Sequence, residues 1–145
     1  MYRRILVALE NSRADDSLVP HVSALAKLTG AELLLVHVAD GFAARHFDRF
    51  QLAESEEIKA DRDYLEHTAA PLRESGLTVE VELALGEPPV ELVKVAEAHG
   101  CDLMALASHG HRLLGDIFLG STIDKVRHHT SIPLLIVRAS AVGQR

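Results

Sequence analysis

The stretch Leu103-Met104-Ala105-Leu106-Ala107-Ser108-His109-Gly110, with Gly120-Ser121-Thr122 following after nine intervening residues, decides the fold of this chain. Its apolar opening reads as a buried strand, its glycine-bearing middle as a loop. Ser121, three residues before Asp124, reads as the start of a helix. A strand, a glycine loop and a capped helix start bring backbone N–H groups together on one point, and the helix dipole adds partial positive charge there. The stretch is therefore read as an anion site suited to the phosphates of a nucleotide.

Working outward, Gly30, Gly76 and Gly100 each close a helix-like segment and each precedes an apolar strand. This is the pattern of a glycine just past a helix end, where a left-handed residue is needed. The strands are Arg4–Leu9, Glu32–Val38, Leu77–Leu83, Asp102–Ala107 and Pro133–Arg138. Ser17 is taken as the N-cap of a first helix ending near Thr29, which puts Pro20 in its first turn. A second helix runs from about Ala53 to Ser75 with Ile58, Leu65 and Leu72 at heptad spacing; Pro71, near its end, allows a kink. The third begins at Pro88-Pro89, with Val90, Val93 and Ala96 to Ala98 on its apolar face. The fourth starts at Ser121. Strands and helices alternating at these lengths predict parallel βαβ units in one α/β domain spanning 1–145.

Ile5–Leu9, Leu33–Val38 and Leu103–Leu106 are almost uninterrupted apolar runs, as expected of strands covered on both faces. Leu77–Leu83 alternates strictly and belongs at an edge. Leu134–Val137 is fully apolar, yet as the last strand it belongs at the opposite edge. A bare apolar edge invites pairing, which predicts a homodimer through Pro133–Arg138. The segment Gly41–Gln51 carries three phenylalanines and reads either as a lid or as a loop packed by its own side chains.

The formal charge of −6 argues against nonspecific nucleic-acid binding, which requires Lys and Arg on many phosphates. Cys101 stands alone, so an intrachain disulfide and a cysteine metal cluster are both excluded; it reads as an inert core thiol. The apolar run after Met1 stops at Glu10, too soon for a secretory signal, and no run approaches the roughly 20 residues of a membrane helix. The expectation is a cytoplasmic protein with neither nucleic acid nor membrane as partner.

His109 and His111 are two apart in a loop, and His128 and His129 are neighbours on a helix; neither spacing is that of a zinc pair. His37 reads as a satisfied core histidine. A Walker lysine, a dinucleotide-type glycine turn, a nucleophile elbow and a cysteine in a basic setting are all missing from the sequence. Nothing positions a general base, so at most slow hydrolysis of a bound nucleotide is expected and turnover catalysis is not.

Taken in order, several segments resemble the universal stress protein family along essentially the whole chain. They are Ile5–Leu9, the strand ending His37-Val38, Gly86-Glu87-Pro88, Ser108-His109-Gly110 and Ser131-Ile132-Pro133-Leu134-Leu135-Ile136-Val137. The resemblance implies a doubly wound, five-stranded parallel sheet of order 3-2-1-4-5 with helices on both faces. It also implies dimerisation through the last strand and, in one branch, binding of ATP with or without magnesium. That branch carries Gly, two residues, Gly, nine residues, then Gly-Ser or Gly-Thr. Here Ala107 replaces the first glycine, while Gly110, Gly120 and Ser121 keep the others. An alanine is tolerated if the glycine only lets backbone approach the phosphates, and is unfavourable if positive φ is required.

By the same resemblance Gly110 and His111 bring N–H groups to the phosphates, and Gly120, Ser121 and Thr122 close on them. His109 lies in the same loop, and Arg112 supplies charge to a terminal phosphate. Glu10, where the ATP binders carry a shorter acid, reaches for a ribose hydroxyl, and Ala8 and Val38 line an adenine slot at the switch point. Blander roles compete with these: a helix cap formed by Ser121 and Asp124, a solvated Arg112, plain core at Ala8 and Val38. The implied function is that of an ATP-binding, dimeric stress-response protein. The alternatives are a nucleotide-free member acting through its dimer or partner surface, and a slow ATPase.

Overall fold

The structure, a computed structural model, describes residues 1–39, 56–109 and 120–140. The strands are β1 (Arg4–Ala8), β2 (Glu32–Ala39), β3 (Val79–Leu85), β4 (Leu103–Ser108) and β5 (Leu134–Arg138). Among them run α1 (Asp15–Thr29), α2 (Glu56–Glu74), α3 (Pro88–Ala98) and α4 (Gly120–His129). All strand pairs are parallel and the sheet order is β3-β2-β1-β4-β5, the doubly wound α/β arrangement.

The apolar runs explain the layers. Odd-numbered residues of the central strands (Ile5, Val7, Leu33, Leu35, Leu103 and Ala105) pack against Leu18, Val22 and Ala26 of α1 and Leu65, Ala69 and Leu72 of α2. Even-numbered residues, including Leu6, Leu34, Met104 and Leu106, pack on the other face against Leu92, Val95 and Ala96 of α3 and Val126 of α4. Each fully buried leucine contributes about 1.5–3 kcal/mol, so a sheet apolar on both faces holds a helix layer on each.

β3 and β5 occupy the two edges, β3 as its alternation requires and β5 as the last strand in spite of its apolar run. At the other end of the strands, the Asp102 carboxylate accepts the N–H groups of Arg3 and Arg4 at 2.9–3.1 Å and fixes where β1 begins. Gly30 stands just past α1 at φ 76°, and its N–H donates to the Ala26 carbonyl at 2.8 Å.

Several boundaries differ from the sequence reading. α1 begins at Asp15, not after a Ser17 cap, so Pro20 lies in the second turn and not the first. The reason is that Asp15 turns its carboxylate back onto the preceding loop, while the Ser17 hydroxyl accepts the N–H of Ser140 at 3.0 Å. β3 starts two residues late, because the Leu77 N–H is still held by the Leu72 carbonyl at the end of α2. α2 continues past Pro71 to Glu74; residues 53–55, where its start was placed, lie outside the described residues. On α3 the buried stripe is Leu92, Val93, Val95 and Ala96; Val90 and Ala98 face solvent. α4 includes Gly120, so Ser121 lies inside the helix, and the Asp124 carboxylate accepts a hydrogen bond from Arg127.

Candidate functional site

In this strand order the chain leaves β1 for one side of the sheet and returns at β4 on the other. The carboxyl ends of β1 and β4 are thus the switch point of the sheet, the crevice where open α/β sheets usually take a ligand. Glu10 follows β1 and His109 follows β4, and the two meet across that crevice. His109 Nε2 lies 2.8 and 2.9 Å from the two carboxylate oxygens of Glu10, with side chains only 5% and 3% exposed. A carboxylate can only accept, so Nε2 donates. The Ser12 hydroxyl donates to the same carboxylate at 3.2 Å. Burial pushes the Glu10 carboxyl above the usual carboxylate range; the His109 bond and charge draw it back and the neighbouring Asp15 adds to the rise.

The loop after β1 carries its own anion. The Asp15 carboxylate accepts the N–H groups of Glu10 at 3.0 Å, Asn11 at 2.9 Å and, more weakly, Ser12 at 3.4 Å. Tyr64 of α2 donates its hydroxyl to Asp15 at 2.5 Å, and burial first, then Asp15, raises the phenol's pKa. Asn11 takes the left-handed conformation at φ 61°, and its amide donates to Asp61 of α2 at 3.1 Å. His37 of β2 donates Nδ1–H to the Leu9 carbonyl at 2.8 Å and turns Nε2 toward Asp61 at 3.6 Å. The amides that could hold an exogenous anion after β1 are thus already used.

A model of the universal stress protein family matches residues 1–138. The chain belongs to that family. It is 28% identical to the universal stress protein MJ0577 of Methanocaldococcus jannaschii over 95% of this chain and 96% of that protein. The solved structure of MJ0577 superposes with a TM-score of 0.77 at 29% identity, over 97% of this chain and 99% of that one. A universal stress protein in complex with cAMP (TM-score 0.71) and one from Archaeoglobus fulgidus in complex with dAMP (TM-score 0.69) share the fold, each at 20% identity. The first covers 96% of this chain and 98% of its own, the second 94% and 98%.

Within this universal stress protein the described residues among those singled out from sequence fall into three groups. Glu10 and His109 come together at the crevice. Ala8 and Val38 lie in the core on the α3 and α4 face, at 0% and 4% exposure, and Ala107 lies in the core on the opposite face. Ala107 is an extended strand residue, and among the described non-glycine residues only Asn11 has positive φ. The left-handed requirement considered for residue 107 does not arise, so its methyl carries no backbone strain. Gly120 and Ser121 open α4 with Thr122 buried behind them. Gly110, His111 and Arg112 lie outside the described residues, as does Gly41–Gln51.

His37 is hydrogen-bonded in the core as expected, and His128 and His129 each bond a backbone carbonyl four residues earlier. Among the described residues no three His, Cys, Asp or Glu side chains could hold a metal ion, and no helix is long and apolar enough to cross a membrane. Sequence reasoning missed the Glu10–His109 pair and the roles of Asp15, Asp61 and Tyr64. One signal was available: Asp61 interrupts the stripe of Ile58, Leu65, Ala69 and Leu72, a polar residue at a helical core position.

Proposed function

We propose that this universal stress protein binds an adenine nucleotide, ATP among them, at the crevice between β1 and β4, and acts as a homodimeric regulatory protein rather than a turnover enzyme. The observation that carries the reading is the distribution of anion-binding groups at the carboxyl edge. The amides after β1 are occupied by Asp15, which leaves the end of β4 at Ser108 and the start of α4 at Gly120 as the strand and helix N-terminus for a phosphate site. In this reading Gly110, His111, Gly120, Ser121 and Thr122 take the phosphates and Arg112 adds charge. Glu10 and His109 sit on the sugar side, and Ala8 and Val38 form the floor beneath adenine. The strand geometry of Ala107 fits the group, since its methyl packs into the core and does not project toward a phosphate. The family members in complex with cAMP and dAMP support an adenine ligand.

The dimer is supported by the β5 edge. Ile136 is 40% exposed there, beside an open groove of about 630 Å³ lined by Ile123, Arg127, Ile132, Leu134 and Ile136. A second copy laid along β5 would cover this apolar edge.

The test is thermal unfolding with and without saturating Mg-ATP, for wild type and Gly120→Glu. Ligand at a hundred times its Kd stabilises by about 2.7 kcal/mol, a rise in Tm of roughly 5–10 °C for a chain of this size. A rise in wild type that the variant loses supports the site. A second reading, a nucleotide-free member acting through the β5 face, is favoured by the engagement of Glu10 with His109 and the burial of Ala8 and Val38. Unchanged Tm at millimolar ATP selects it.

A further inference from the structure

The pair at the mouth of the crevice has a consequence for which ligands the site prefers. Glu10 and His109 are 99 residues apart in sequence and are joined across the two strands at the switch point of the sheet. The backbone at Glu10 is held by Asp15, and the carboxylate is held by Ser12 Oγ as well as by His109 Nε2. Glu10 is therefore fixed from both ends, and both oxygens are within hydrogen-bond distance of the imidazole. With the Glu10 side chain only 3% exposed, a sugar hydroxyl reaches this carboxylate by displacing the imidazole, and the hydrogen bond it makes then replaces one already present. Hydrogen bonds to a charged acceptor are the strong ones, so the bond to be displaced is not a negligible competitor.

We propose that His109 is a specificity-determining latch: in the ligand-free protein it holds the Glu10 carboxylate closed against sugar hydroxyls, and it thereby suppresses the discrimination between a ribose and a deoxygenated sugar. The inference rests on the reading of the crevice as a nucleotide site and adds to it which group of the nucleotide meets resistance. His109 acts through Glu10 and is a positioning residue. Removing its N–H unties the imidazole from the carboxylate and frees the acceptor position that it fills. A vicinal diol can then satisfy it, and a sugar without hydroxyls cannot.

The experiment is calorimetric titration of the full chain with Mg-ATP and with its 2′,3′-dideoxy analogue, comparing the ratio of the two Kd values. In wild type the ratio should lie close to one. In His109→Ala, ATP should bind about tenfold or more tightly, the size of one hydrogen bond to a charged group, while the dideoxy analogue is little changed. His109→Phe, which keeps the ring volume and removes the donor, should move the ratio the same way and serves if the alanine variant does not fold. His109→Gln keeps a donor and should leave the ratio near that of wild type. Adding Glu10→Gln to either latch-free variant should return it toward one.

Binding of ATP by His109→Ala but not by wild type would also support the latch. A ratio unmoved by His109→Ala and His109→Phe, or equal weakening of both nucleotides, overturns the latch and leaves the nucleotide site standing. Failure of Mg-ATP to bind any variant overturns the nucleotide reading, and the latch with it.

Discussion

Asp15→Ala is the perturbation that most directly tests how the carboxyl edge is built. The substitution removes the acceptor for the N–H groups of Glu10 and Asn11, weakens the hold on Ser12, and strands the Tyr64 hydroxyl. Asp15 is 2% exposed, so water does not readily replace the lost acceptor. An unsatisfied buried donor costs about 1–3 kcal/mol, and two well-formed amide bonds plus the phenol are affected. Partial relaxation of a surface loop reduces the sum, and a loss of about 3–5 kcal/mol is expected. At roughly 2–4 °C per kcal/mol this lowers Tm by about 10–15 °C.

The assay is urea unfolding followed by circular dichroism, with the slope m checked so that a change in midpoint is read as a change in stability. Tyr64→Phe should cost only about 1 kcal/mol, the value of one hydrogen bond whose partner keeps other donors. The double variant should then lose less than the two single losses added together, because the residues share that bond. A loss below about 1 kcal/mol for Asp15→Ala would refute the reasoning: the loop after β1 would not depend on an internal anion, and its amides would be available to a ligand.

Other measurements bear on separate parts of the structure. The Tyr64 phenol is raised in the folded state, so its contribution is present below the unfolded value near pH 10 and is lost as pH rises above it. Wild type should therefore lose stability above about pH 10 more steeply than Tyr64→Phe. Burial pushes the Cys101 thiol up to about 11, so alkylation at mildly alkaline pH should be about a hundredfold slower than for a free cysteine and should become rapid in concentrated guanidinium. Ile136→Lys places a charge on the exposed β5 edge; sedimentation should show a dimer in wild type and monomer in the variant, and an unchanged monomer in both removes β5 as the contact.

Much of the fold was legible in the chain because parallel, doubly covered strands have an unmistakable composition. Ile5–Leu9, Leu33–Val38 and Leu103–Leu106 belong at the centre, since apart from His37 they are apolar on both faces. The glycines at 30, 76 and 100 mark helix ends because a left-handed residue without a Cβ is cheap there, and each is found with positive φ. Boundaries were less legible where a side chain competes for backbone groups. Asp15 could be read as ordinary helix composition, and only the tertiary structure makes it the anion that closes the loop after β1.

The sequence by itself determined the sheet, its order through resemblance, and the glycine stretch after β4. Those follow from local patterns of apolar residues and backbone freedom, which act over a few positions. Only the tertiary structure decided that Ala107 is an unstrained core residue and that Asp61 holds Asn11 and faces His37. It alone also made Glu10 the partner of His109. A hydrogen bond between side chains 99 residues apart leaves no periodicity in the sequence. It exists because β1 and β4 are neighbours in the sheet, and that adjacency is created by folding.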